Sequence, residues 1–139
     1  MSSEETESTV RQYVDALLNG GDFASFFADE VMWTTMETGD QIQGREAVRD
    51  FIVAMHSQLF DAVPELVNLT CTDDVAGLEW VFVGTHTAEF AGVPATGAAV
   101  RLPYSVFYDV SGGVIVALRA YFPVTALVQQ LAGAPSAPT

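Results

Sequence analysis

Asp109-Val110-Ser111-Gly112-Gly113-Val114-Ile115-Val116 reads as a β-hairpin, because two β-branched runs meet at a Ser-Gly-Gly turn. Glycine adopts positive φ at no steric cost, so the pair can reverse the chain between antiparallel strands. Outward from this hairpin, residues 66–122 are rich in β-branched and aromatic side chains, the composition of strands. Thr72-Asp73-Asp74, the loop from Gly92 to Gly97 and the Ser-Gly-Gly turn divide this region into four strands.

Upstream the period changes. Val10, Tyr13, Val14, Leu17 and Leu18 recur at helical spacing and predict a helix from about Ser8 to Leu18, stopped by Gly20-Gly21. Asp22 can cap a second, short helix with Phe23, Phe26 and Phe27 on its apolar side. Val31 to Thr35 reads as a strand and Glu37 to Gly44 as a polar loop. A third helix is expected from about Arg45 to Leu59, with Val48, Phe51, Ile52, Met55 and Leu59 as its apolar stripe. Helices first and a strand meander second predict an α+β domain with helices packed on one face of the sheet. One domain is expected over residues 6–133, followed by a disordered tail at 134–139.

Half of the 139 residues are hydrophobic, enough to bury a sizeable core. No apolar stretch approaches the roughly 18 residues of a membrane span. Five arginines, no lysine and eighteen acids give a net charge of −13. Such a surface repels phosphate backbones and anionic lipid, which argues against nucleic-acid and membrane partners. The start, Met1-Ser2-Ser3-Glu4-Glu5, has neither the basic and apolar parts of a secretory signal nor the arginines of a transit peptide, so a cytoplasmic location is expected. Cys71 is the single cysteine, so no internal disulfide can form, which fits a reducing compartment. It lies in a strand-like run, where a structural thiol is the commoner reading.

The run Gly84-Thr85-His86-Thr87-Ala88-Glu89-Phe90-Ala91-Gly92-Val93-Pro94-Ala95-Thr96-Gly97 resembles a stretch typical of SnoaL-like proteins, a branch of the NTF2-like superfamily. The hairpin Asp109 to Val116, the ending Leu127-Val128-Gln129-Gln130-Leu131 and the helical start resemble the same family in the same order. The resemblance implies an NTF2-like cone-shaped barrel, with three N-terminal helices packed on a curved, mostly antiparallel sheet. It also implies an apolar pocket at the open end and frequent dimerisation. Family chemistry ranges over polyketide aldol cyclases, epoxide hydrolases and ketosteroid isomerase, all working with side chains and without metal or cofactor. The family's catalytic aspartate near the end of the last long strand aligns with Pro123. A hydrolase-type Arg-Asp-Tyr-Phe-Asp run would align with Arg119-Ala120-Tyr121-Phe122-Pro123, where both aspartates are replaced.

Arg119 and Tyr121 share one strand face with Pro123 in phase. If that face lines the pocket, Arg119 can stabilise an enolate or carboxylate oxygen and Tyr121 can hydrogen-bond the same group. Otherwise Arg119 pairs within the sheet and Tyr121 belongs to the core. His86 is a candidate general base, or else it holds the following loop through a hydrogen bond. His56 falls between core positions of the third helix. Trp33, Phe51, Met55, Trp80 and Tyr104 are the expected substrate-binding wall, suited to a flat apolar ligand. Arg101 reads as a rim cation or a solvated one, and Glu79 and Asp40 as replacement bases. Two widely separated histidines do not make a metal cluster, and neither a Ser/His/Asp elbow nor a phosphate-cradling loop is visible.

Taken with these residues, the resemblance implies a small-molecule cyclase or isomerase of a secondary-metabolite, polyketide-type pathway. It would direct ring formation of a small apolar organic substrate without cofactor, and the outer sheet face could carry a homodimer interface. Two alternatives stand beside it: a non-catalytic small-ligand binding or accessory protein, and an epoxide-hydrolase-like enzyme using Glu79 or Asp40.

Overall fold

Ser2 sets the start of the first helix in the computed structural model, which describes residues 2–132. The Ser2 hydroxyl accepts the Glu5 backbone N–H at 3.1 Å, and the Glu5 carboxylate accepts the Ser2 N–H at 3.1 Å. This reciprocal box satisfies donors that a helix N-terminus leaves open. Helix α1 therefore spans Ser3–Leu18, beginning earlier than its apolar stripe suggested. Val10, Tyr13 and Val14 are its buried face. Thr6 is also fully buried, and its hydroxyl donates to the Asp73 carbonyl at 2.6 Å, tying α1 to a turn of the sheet.

The expected second helix is a single 3₁₀ turn, Phe23–Phe26, and Asp22 makes no side-chain cap. Strand β1 (Phe27–Thr35) starts four residues before the expected strand. Asp29 and Glu30 obscured that start by breaking the apolar pattern, and Arg45 now pairs with Asp29 at 2.8 Å. The polar stretch read as a loop contains a short edge strand, β2 (Asp40–Gln43), paired antiparallel with β1. Helix α2 (Arg45–Val53) passes into a π-helical turn, Ala54–Gln58. There the Leu59 N–H reaches back to the Ala54 carbonyl at 2.8 Å. His56 and Ser57 bond by their side chains to the carbonyls of Ile52 and Val53.

Four long strands follow: β3 (Phe60–Cys71), β4 (Val75–His86), β5 (Ala99–Ser111) and β6 (Val114–Tyr121). Their turns are the three read from the sequence. The sheet order is β2-β1-β6-β5-β4-β3, with β1 and β6 parallel and every other pair antiparallel. The sheet is curved and open, with β2 and β3 as edges, rather than a closed barrel. Pro64 is tolerated in β3 because an edge strand need not donate on both sides. The expected third helix, Arg45 to Leu59, is thus α2 with its π-helical turn, and a further helix, α3 (Val124–Ala132), lies at the C-terminal end of the described chain and buries Leu127 and Leu131, so the helices are not three at the N-terminus. Gly133 and the proposed tail at 134–139 lie outside the described residues.

Even-numbered residues of β4 and β5 face the helices. Leu78, Trp80 and Phe82 from β4 pack with Leu102, Val106 and Tyr108 from β5 in one continuous core. Among the described residues, no helix is long and apolar enough to cross a membrane.

Gly84 marks the closest approach in the sheet. A Cβ there would lie 2.4 Å from the Asp61 carbonyl oxygen and 2.6 Å from the Ala62 Cα, both backbone atoms. Gly84→Ala is expected to destabilise the fold by about 3 kcal/mol, since backbone cannot rotate aside as a side chain can. Gly39→Ala meets open space and carries only the strain of its positive φ. Urea unfolding of the two variants checks the order; equal losses would contradict it.

Candidate active site

Helix α2 and its π-helical turn bring Phe51 and Met55, and Ile52 and His56, one turn apart above the concave face. Beneath them stand Trp33 and Thr35 of β1, Phe82 of β4 and Tyr104 of β5. Phe122 and Val124, just after β6, and Phe90 of the β4–β5 loop complete the wall, with Thr38 and Asp40 at its exposed edge. These residues enclose a cavity of about 220 Å³. Trp33 and Phe51 meet edge to face at 5.1 Å, and their side of the wall is set by the Trp33 indole N–H donating to the Thr35 hydroxyl at 2.9 Å. On the sheet side, Phe122 meets Tyr104 at 5.1 Å and Phe82 at 5.6 Å, both near perpendicular. Such packing holds the rings in place and leaves flat apolar faces for a ligand.

Trp33, Phe51, Met55 and Tyr104 thus stand together in one wall. Trp80 does not join them. It is buried behind Tyr104, stacked on it at 6.5 Å, with its indole N–H directed to the Tyr108 hydroxyl at 3.3 Å.

Arg119 and Tyr121, proposed for the concave face, lie on the convex one. Leu118 and Ala120 are the buried residues of that stretch, and strand geometry turns their neighbours outward. Arg119 pairs there with Asp109 of β5. Tyr121 is half exposed and packs on Phe107. Phe122, rather than Pro123, is the wall residue at the end of the strand. Glu79 is exposed on the convex side and accepts a hydrogen bond from Asn68 at 3.1 Å. Arg101 is also exposed, 3.6 Å from Glu65.

The two histidines are held in opposite tautomers. Thr96 donates its backbone N–H to His86 Nδ1 at 3.2 Å, so His86 carries its hydrogen on Nε2. His86 is buried beside Phe60 and is outside the cavity wall. Its main chain bonds Ala98 and Gly97, closing the base of the β4–β5 loop. His56 Nδ1 lies 2.7 Å from the Ile52 carbonyl oxygen. A carbonyl only accepts, so Nδ1 carries the hydrogen and Nε2 presents a lone pair. Nε2 is buried without a hydrogen-bond partner among the described residues. Burial lowers the His56 pKa below the ordinary histidine value, opposed by the weaker effect of the Ile52 bond. Burial acts oppositely on Tyr104 and holds its phenol protonated far above neutrality. Among the described residues, no three His, Cys, Asp or Glu side chains cluster as metal ligands would.

The sequence reading missed Phe82, Phe90 and Phe122. Phe82 shares the face of Trp80 two residues on, a signal present in the alternation; Phe90 is brought in only by the loop that His86 closes.

The His56 shift has a stability consequence. The unfolded chain binds a proton near pH 6.5, whereas the folded chain resists it until lower pH. Stability linked to His56 is therefore lost as pH falls below about 6.5 through the depressed folded pKa. Urea midpoints at pH 7 and pH 5 should fall less in His56→Gln than in the unmodified protein, with the carboxylate background shared. An identical loss in both would refute the assignment.

Solved structures repeat this architecture. A protein provisionally named a polyketide cyclase from Xanthomonas campestris pv. campestris superposes with a TM-score of 0.77 at 22% identity, covering 94% of this chain and 99% of that one. One provisionally named a SnoaL-like polyketide cyclase from Jannaschia sp. CCS1 gives 0.80 at 17% identity, covering 99% and 95%. One provisionally named a ketosteroid isomerase from Kribbella flavida gives 0.68 at 22% identity, covering 87% and 79%. At these identities the likeness establishes the fold. No curated protein matches the chain. The family model described as SnoaL-like polyketide cyclase matches residues 8–131, nearly the whole described chain, and the chain belongs to that family.

Proposed function

We propose that the protein is a cofactor-independent cyclase or isomerase of a polyketide-type pathway, directing ring formation of an apolar intermediate held in the cavity. One observation carries this reading. The wall is aromatic on opposing sides, and its polar groups are a neutral imidazole, a protonated phenol, two threonines and Asp40 at the edge. Desolvating an ionic substrate there would be costly, whereas a flat apolar one gains contact on both faces. Holding a flexible chain with its reacting carbons close lowers the entropic part of the barrier to ring closure.

Pro123 at the family's acid position supports a second reading, a binding protein without turnover. Titration with 2-tetralone, a bicyclic aromatic ketone, should quench Trp33 saturably. Met55→Trp, which fills the cavity, is expected to weaken binding by about tenfold or more. A linear poly-β-ketone thioester should then cyclise faster, or to a different product ratio, with protein than without. Saturable binding with no change in rate or products would favour the binding protein; no binding would remove both readings.

A homodimer is proposed through the convex face, where Val63, Val67, Phe107 and Tyr121 are exposed, interspersed with the charged Glu65, Glu79, Arg101 and Arg119. Light scattering should give about twice the 14.9 kDa chain mass, and Tyr121→Glu should halve it. A monomeric mass for the unmodified protein would dismiss the dimer.

A further inference from the structure

Among the described residues, Asp40 is the only carboxylate in the cavity wall, and no arginine stands there with it. It opens β2 opposite Thr35, the last residue of β1, while Trp33 stands opposite Ile42. Residues paired across antiparallel strands share a face, and so do residues two apart along one strand. Asp40, Thr35 and Trp33 therefore stand together on the concave face, with Asp40 and Trp33 diagonal neighbours about 7–8 Å apart. The turn between the strands fixes this corner. The Gly39 N–H donates to the Thr35 carbonyl at 2.8 Å, and the Asp40 N–H donates to the Thr38 hydroxyl at 3.2 Å. The Asp40 carboxylate is exposed and forms no hydrogen bond or ion pair among the described residues.

The chain has no cation to offer it. There are five arginines and no lysine. Each arginine has an acid elsewhere, from Arg11 with Glu7 to Arg119 with Asp109. His56, in the same wall, is kept neutral by burial. The net charge of −13 adds a field that draws in cations and repels anions. Beside the carboxylate lies an aromatic surface. The Trp33 indole N–H is taken by the Thr35 hydroxyl at 2.9 Å, so the ring offers a ligand its π surface, braced by Phe51 edge to face at 5.1 Å. A carboxylate next to an indole selects ammonium groups, because ion pairing and cation–π attraction act on the same charge. At the exposed edge that charge keeps part of its water, which avoids the desolvation cost of an ion deep in the cavity.

Resting on the reading of the cavity as a site for a small apolar molecule, we propose that its ligand is a cationic amine. Its apolar ring body fills the cavity, and a protonated amino group beside that body is held at the mouth between Asp40 and Trp33. An acid of the same shape is excluded, since its carboxylate meets Asp40 and no arginine in the wall compensates it. Asp40 selects the ligand and takes no part in bond making.

Three bicyclic probes of one shape separate charge from fit: 2-aminotetralin, a cation at neutral pH; 2-tetralone, uncharged; and tetralin-2-carboxylic acid, an anion. Titration calorimetry at neutral pH and low salt should give the amine a Kd about tenfold below that of the ketone, with the acid the weakest of the three. Asp40→Asn should bring the amine to within about twofold of the ketone and leave the ketone's own Kd unchanged, which also shows the cavity to be intact. Asp22→Asn removes the same charge outside the cavity wall and should keep the preference for the amine. Ketone binding with no preference for the amine overturns the amine assignment and leaves the apolar-ligand reading standing. So does a preference that survives Asp40→Asn, or one that falls equally in Asp22→Asn. Failure of all three probes to bind overturns both readings. Should Asp40→Asn lose the ketone as well, the unmodified protein in high salt decides. An amine Kd that rises toward the ketone's supports the ion pair, and a preference that salt leaves unchanged overturns it.

Discussion

A register shift between β5 and β6 governs what the cavity contains. Val110 pairs with Ile115, but the next pair is Asp109 with Ala117, so β6 carries one extra residue there. Ile115 and Leu118 consequently both face the core, although strict alternation would separate them. From that point Ala120 points inward, followed by Phe122 in the wall, while Arg119 and Tyr121 are turned to the convex face. Without the bulge, a cation would enter an apolar cavity and the aromatic floor around Tyr104 and Phe82 would lose its third ring.

The same constraint shapes the electrostatics. With Arg119 paired to Asp109 outside, the enclosed wall keeps only groups that are uncharged at neutral pH, and Asp40 stands at the exposed edge. Burial acts in opposite senses on the two main polar groups. It disfavours the imidazolium of His56 and the phenolate of Tyr104, so both settle into neutral forms. His86 has the other tautomer because its partner is an amide N–H rather than a carbonyl. It acts on the fold, closing the loop that carries Phe90, and through Phe90 it shapes the wall.

Much of this was legible residue by residue. The stripe from Val10 to Leu18, the Ser-Gly-Gly turn and the long β-branched runs each announce their element locally, and the aromatics Trp33, Phe51 and Tyr104 could be assigned to a wall because their elements could be. The errors have physical causes. Polar β2 is an exposed edge strand with little burial to pattern it. The Phe23–Phe26 turn has apolar residues enough for a helix but too little length to form one. Trp80 shares the inward phase of Phe82, yet Tyr104 covers it, and such layering depends on a neighbouring strand.

The α+β class, the strand hairpins, an apolar core rich in aromatics and the family were legible in the residues alone, because those rest on period, turn chemistry and motif, which are properties of contiguous residues. Which face of β6 meets the cavity, which tautomer each histidine holds and that a helix packs after the last strand could be read only from the folded chain. Each of these is set by contacts between distant segments or by a single extra residue in a ladder. An alternating strand reads the same in either phase until its partner fixes the register.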